Sequence, residues 1–166
     1  MLPLASWDPQ QALDTVVAII AAYVLAVPLA WEREQKGHAK VGLRTLPLVS
    51  VGTCAYLLLS RYLQERGIYT ADGPARALRS MMTGVGFIGG GAILKRVTDK
   101  EGVTGVTTAA SVWATGAIGA CVAHGYYTIA MVLSLTDVFI VGVTKRLARR
   151  TRDAARAVRD AATAEG

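Results

Sequence analysis

The chain has 166 residues, 52% of them hydrophobic and only 18% charged, with a mean hydropathy of +0.37. A soluble domain of this size carries about a quarter charged residues, so the composition points to an integral membrane protein. The net charge of +6 sits between and after long apolar runs, with no basic patch interleaved by aromatics. That pattern argues against nucleic acid as a partner.

Residues 1–12 are mixed, with Pro3, Trp7, Asp8 and Pro9, and suit a membrane interface. Asp8 and Asp14 stand where a secretory signal would carry positive charge, so no cleaved signal peptide is expected. Residues 13–31 form the first predicted span, about 28 Å long at 1.5 Å per residue. Pro28 can kink or end it, and Trp31 is placed as an interfacial anchor. A compact charged loop, Glu32 to Lys40, leads through Gly42-Leu43-Arg44-Thr45 into the second span, residues 46–60. Residues 61–76 form a loop whose Asp72-Gly73-Pro74 suits the start of a helix. The third span covers 77–94 and the fourth 103–122. Ala123-His124-Gly125 is a turn, and the fifth span, 126–143, carries Asp137. The arginine-rich tail, 144–166, has a small apolar face that suits either the anionic inner leaflet or a solvated helix.

The expected fold is therefore an all-α integral membrane protein. Residues 1–143 form one five-helix transmembrane domain, and 144–166 form a basic cytoplasmic tail. Fourteen of the 18 Lys and Arg fall on the side that holds the first loop, the third loop and the tail. The excess of positive charge on cytoplasmic segments then puts the N-terminus outside and the C-terminus in the cytoplasm.

The third and fourth segments are unusually rich in Gly, Thr and Ser. Helices in lipid associate through close backbone approach and hydroxyl hydrogen bonds, so these two helices are expected at the packed centre. Gly84-Val85-Gly86-Phe87-Ile88-Gly89 fits the dinucleotide pattern G-x-G-x-x-G, but the strand and βαβ context that pattern needs is missing. Gly84, Gly86, Gly89 and Gly91 are therefore read as helix-packing positions. Thr104, Thr108, Ser111 and Thr115 share one helical face. With Thr107 and Trp113 nearby, this seam either bonds to the glycine-rich third helix or lines a solute path, packing being the default. Asp137 is a carboxylate inside a span, a usual mark of an ion pathway.

Glu32, Arg33, Arg44 and Thr45 form either a gate or partner-docking patch, or an ordinary interface of paired charges. Asp72 and Arg76, four apart, make a routine helix pair or one half of an outer vestibule. A magnesium site wants several oxygens and retained waters. The spans offer Asp14 and Asp137 with Glu32 at an edge, so no metal ligand is assigned, no cofactor is expected, and Mg2+ stays an open alternative. Cys54 and Cys121 lie in apolar runs and read as packing residues; Cys121 and His124 have no second pair to complete a metal site. No nucleophile–base constellation stands out, so no enzyme is expected.

Glu32-Arg33-Glu34 with Gly42-Leu43-Arg44-Thr45, then Arg76, the run from Gly84 to Ile93, and the run from Val103 to Trp113 together resemble the MgtC/SapB family. The likeness covers about residues 13–143. It implies a multi-pass protein of the bacterial inner membrane, associated with growth in low magnesium and with survival inside host cells. Members were first suspected of carrying magnesium. Later they were viewed as regulators of other membrane proteins, including ATP synthase and phosphate uptake. Ser80 stands where Gln is common, Gly90 where Ala is common, and Arg79 adds a positive charge. Many members continue into a soluble C-terminal domain, where this sequence has the arginine-rich tail. The expected role is modulation of other membrane proteins through helix or loop contacts within the lipid bilayer, by a homodimer at least. The alternative is a transporter or channel for Mg2+ or another cation, using the Thr/Ser seam and Asp137.

Overall fold

The computed structural model describes residues 8–34, 42–94 and 105–144. Thr104, the charged link before it and the basic tail lie outside the described residues.

Five helices follow one another among the described residues. α1 (Pro9–Glu34) opens with proline at its first position, where the missing N–H has no helical partner to lose. Asp8 caps it, its Oδ1 accepting the Gln10 amide at 3.0 Å. Pro28 does not end α1, which runs on through Glu32, Arg33 and Glu34. α2 (Leu46–Glu65) extends more than a turn past the expected boundary and ends at Gly67, which has φ +70°. α3 (Gly73–Leu94) begins a turn early, with Pro74 in its first turn. α4 (Val106–Ala123) starts after Gly105, whose φ of +98° favours glycine; a Cβ there would lie 2.6 Å from the Ala92 carbonyl oxygen. A turn through Gly125 leads to α5 (Tyr127–Thr144).

By length and composition, α1, α2, α4 and α5 can each cross a membrane. α3 is long enough at 22 residues, but Arg76, Arg79, Ser80, Thr83 and its glycines dilute its apolar content, and it is not one of the four. Of the five transmembrane helices expected, all five are helical and four are long and apolar enough to cross a membrane. Large apolar side chains such as Val17, Ile20 and Val24 on α1 and Leu135 and Phe139 on α5 are exposed. So extensive an apolar surface suits lipid and not water.

α4 is the central helix and packs on α1, α2 and α3. Its approach to α2 is closest at Gly119, where any side chain would overlap the Ser50 carbonyl. Gly116 meets Val85 of α3; a Cβ there would lie 3.0 Å from Val85 Cγ1. The innermost pair is thus α2–α4 and not the expected α3–α4. α3 lies against both but turns Gly84, Phe87, Ile88 and Gly91 outward. The buried face of α1 is a stripe of small residues at four-residue spacing, Ala18, Ala22, Ala26 and Ala30. Hydroxyls tie these close approaches: Ser50 Oγ donates to the Ala22 carbonyl at 2.9 Å, and Ser134 Oγ to the Leu25 carbonyl at 2.7 Å. Cys54 is buried against α1 at Ala18, and both cysteines are free thiols.

Candidate functional site

The alanine stripe of α1 ends at Arg33, whose side chain turns into the bundle and is 6% exposed. Its Nε donates to Ser111 Oγ at 2.9 Å, and its Nη2 donates to the same hydroxyl at 2.6 Å and to the Thr107 carbonyl. Ser111 Oγ donates in turn to the Thr107 carbonyl at 2.9 Å. A planar guanidinium suits this arrangement, because its fixed fork reaches two neighbouring acceptors at once.

Across the same junction, α5 brings Asp137 to a cavity of about 130 Å³ lined also by Leu29, Thr107, Ser111 and Val141. Asp137 is half-buried, and its Oδ2 is enclosed with no hydrogen-bond partner. Four residues expected in three separate groups, Arg33, Thr107, Ser111 and Asp137, are therefore gathered around one junction of α1, α4 and α5.

The polar seam takes a different form from the one expected. Thr108, Ser111 and Thr115 are buried on one face of α4. Ser111 and Thr115 hydroxyls bond back to carbonyls of their own helix, Thr115 Oγ1 to Ser111 at 2.6 Å, and the helix they reach is α1 through Arg33. α3 contributes close backbone contact at Gly89, where a Cβ would lie 3.3 Å from the Ala109 carbonyl oxygen. Gly84, Gly86 and Gly91 have no atom within 4 Å of a built Cβ, so packing within this chain accounts for Gly89 and not for them. Trp113 faces outward.

The charged motif at the end of α1 divides its work. Glu32 is half-buried on the last turn, and Arg44 is exposed. Glu34, part of the family motif but not among the expected site residues, accepts the Leu43 amide at 3.1 Å, and Gly42 packs so closely on its carboxylate that a side chain there would overlap it. The amides of Thr45 and Leu46 both donate to the Gly42 carbonyl, at 3.0 and 3.1 Å. So Arg33 fastens α1 to α4, while Glu34, on the neighbouring face, fastens it to the turn before α2. The signal that distinguishes them was the alanine stripe, which places Arg33 and not Glu34 on the inner face.

At the opposite end, Asp72 and Arg76 form their ion pair at 2.6 Å. Thr70 closes a ring, its hydroxyl donating to Asp72 Oδ1 at 2.6 Å and accepting from Arg76 Nη2 at 2.9 Å. The Thr70 hydroxyl first, then the backbone bond and the Arg76 charge, hold the Asp72 carboxyl below the usual carboxylate range. This ring is exposed and does not meet the Arg33 junction.

All four junction residues lie inside residues 19–150, the segment matched by the MgtC family model. YhiD of Escherichia coli K12, which carries a name proposing magnesium transport, is 31% identical over 144 residues, covering 82% of this chain and 63% of that protein. SrpB of Synechococcus elongatus is 28% identical over 154 residues, covering 89% and 81%. MgtC of Brucella abortus is 30% identical over 141 residues, covering 85% and 53%. The chain thus spans about 63% of the length of YhiD. No solved structure matches. With the family model covering most of the chain, including the Glu-Arg-Glu end of α1, the glycine run and the seam of α4, this multi-pass membrane protein belongs to the MgtC family.

Proposed function

We propose that the chain is a modulator of other membrane proteins in the bacterial inner membrane, acting by helix contact during adaptation to low magnesium. The observation that carries this reading is the outward face of α3. Phe87 there is 85% exposed, and Gly84, Gly86 and Gly91 have open space beside them. A surface made for lipid gains nothing from glycine, whereas glycine lets another helix approach closely. The reading takes α3 as a fifth crossing, because it lies along α4 from Ala92 at Gly105 to Val85 at Gly116. It places the N-terminus outside and the C-terminus in the cytoplasm, in keeping with the distribution of Lys and Arg. It assigns the protein no catalytic step.

A second reading, cation transport, is favoured by Asp137, whose enclosed oxygen faces a cavity without a hydrogen-bond partner. Mg2+ holds its waters and wants an octahedron of oxygens. The cavity offers one carboxylate, beside seam oxygens already engaged by the positive charge of Arg33. Among the described residues no group of three or more His, Cys, Asp or Glu could hold a metal.

Two measurements separate these readings. A photo-crosslinking side chain at Phe87, in native membranes, should capture a protein partner; capture of lipid alone would remove the observation on which modulation rests. Proteoliposomes holding the folded full chain should show no magnesium flux above empty vesicles. Flux abolished by Asp137→Asn would put transport in its place.

A further inference from the structure

The opposite end of the bundle holds a second polar cavity, of about 190 Å³, where α1, α2 and the α4–α5 turn meet. Two opposite charges line it, Asp14 from α1 and Arg61 from α2. Among the described residues they make no ion pair with each other; the partner of Arg61 is Glu65, 3.5 Å from its Nε. Arg61 Nη1 donates to the carbonyl of Ala123, the last residue of α4, at 3.3 Å, and the guanidinium stands 5.7 Å from the centre of the Tyr62 ring. Its Nε is buried with no hydrogen-bond partner among the described residues. Asp14 Oδ1 accepts a long bond from Gln10 at 3.3 Å. The Tyr62 hydroxyl is engaged by Thr15 at 2.8 Å, which fixes the wall between α1 and α2. Two opposite charges that line one cavity without touching suit a ligand that carries both signs in reverse order.

We propose that this cavity binds the zwitterionic headgroup of a phosphatidylethanolamine-type lipid, its phosphate on Arg61 and its primary ammonium toward Asp14. The inference is independent of the modulator reading. The position favours a lipid over a soluble solute. The cavity lies at the ends of helices apolar enough to cross a membrane, beside exposed Leu13, Val17, Tyr126 and Tyr127. Tyrosines at helix ends mark the headgroup level, and the apolar residues beside them can receive the acyl chains. The two charges set the class of headgroup. An anionic lipid without an amine leaves Asp14 facing a second negative charge. A choline headgroup has no N–H to donate to the carboxylate. A lipid seated here touches three helical elements, so it should stabilise the folded chain by mass action.

The test uses the full chain in detergent, with thermal unfolding followed as phosphatidylethanolamine, phosphatidylcholine or phosphatidylglycerol is added. The expected result is tighter binding of phosphatidylethanolamine than of the other two. Asp14→Asn should reduce that preference by about fivefold, the upper end for a partly exposed ion pair. Arg61→Gln should weaken all three lipids. Arg61→Lys keeps the charge and should retain the ranking, which separates loss of binding from loss of folding. Equal stabilisation by all three lipids, or a ranking that survives Asp14→Asn, would overturn the proposal. So would phosphoethanolamine matching the lipid at equal concentration, since the ligand would then be a soluble zwitterion.

Discussion

Arg33 carries a positive charge into the junction of α1 and α4, and its acceptors include the Ser111 hydroxyl and the Thr107 carbonyl, 78 and 74 residues along the chain. Removing the guanidinium should strip charged hydrogen bonds that contribute about 1.5–3 kcal/mol. We expect Arg33→Ala to lower stability by about that amount, read by thermal unfolding in lipid nanodiscs. Arg33→Lys should recover only part of it, because an ammonium is a point charge without the fork. A lysine variant as stable as the parent would show that charge alone, and not the bond to Ser111, holds the junction. The Asp72 ring predicts a pH effect of definite sign. Its carboxyl titrates lower when folded than unfolded, so its contribution is complete above about pH 4, the unfolded value, and is lost as pH falls through the depressed folded value. The carboxyl resonance of Asp72 should titrate below the usual range, and Thr70→Ala should bring it back toward that range. Both charged sites were legible in the sequence as candidates. The Asp72–Arg76 pair was legible as a pair because local helix spacing fixes it. The union of Arg33 with Ser111 was not, because no local rule relates residues so far apart.

The helices were legible as elements because each is a long apolar run, yet their ends were misplaced. Glu32, Arg33 and Glu34 at the end of α1, and the stretch from Arg61 to Glu65 at the end of α2, read as loops because each opens on a charged residue. At a membrane interface long side chains keep their heads in polar surroundings while the backbone stays helical, so charge did not mark the boundary. The glycines show a second limit. In a membrane helix every face is apolar, so periodicity does not say which glycine meets a neighbour. The structure separates them: Gly119 lies on the Ser50 carbonyl, whereas Gly86 has open space. Gly119→Leu should therefore force α2 and α4 apart, an overpacking cost of about 1–3 kcal/mol or more. Gly86→Leu should leave thermal stability nearly unchanged while reducing capture of a partner at Phe87. If Gly86→Leu unfolded the chain as readily as Gly119→Leu, the outer face of α3 would be packed against something that the isolated chain keeps in the purified state.

At the scale of the whole molecule, direction across the membrane is carried by segments and not by any contact. The described residues place Arg61, Arg66, Arg76 and Arg79 at one end of the bundle and Arg33 and Arg44 at the other. Taken alone these would orient the chain the opposite way. The full count reverses that balance, fourteen against four, through the charged loops and the tail. Insertion responds to the positive charges flanking each span as the chain is made, whether or not they later pair. Arg33 therefore still counts in the first loop although it ends up buried. The tail supplies seven of the fourteen, so replacing all seven with neutral residues leaves seven against four. The expected outcome is that a green fluorescent protein fused at the C-terminus fluoresces in both the parent and the neutral-tail chain, and that alkaline phosphatase fused there is inactive in both. Active phosphatase on the parent would reverse the orientation. Active phosphatase on the neutral-tail chain alone would mean that the tail orients the bundle and the first and third loops do not.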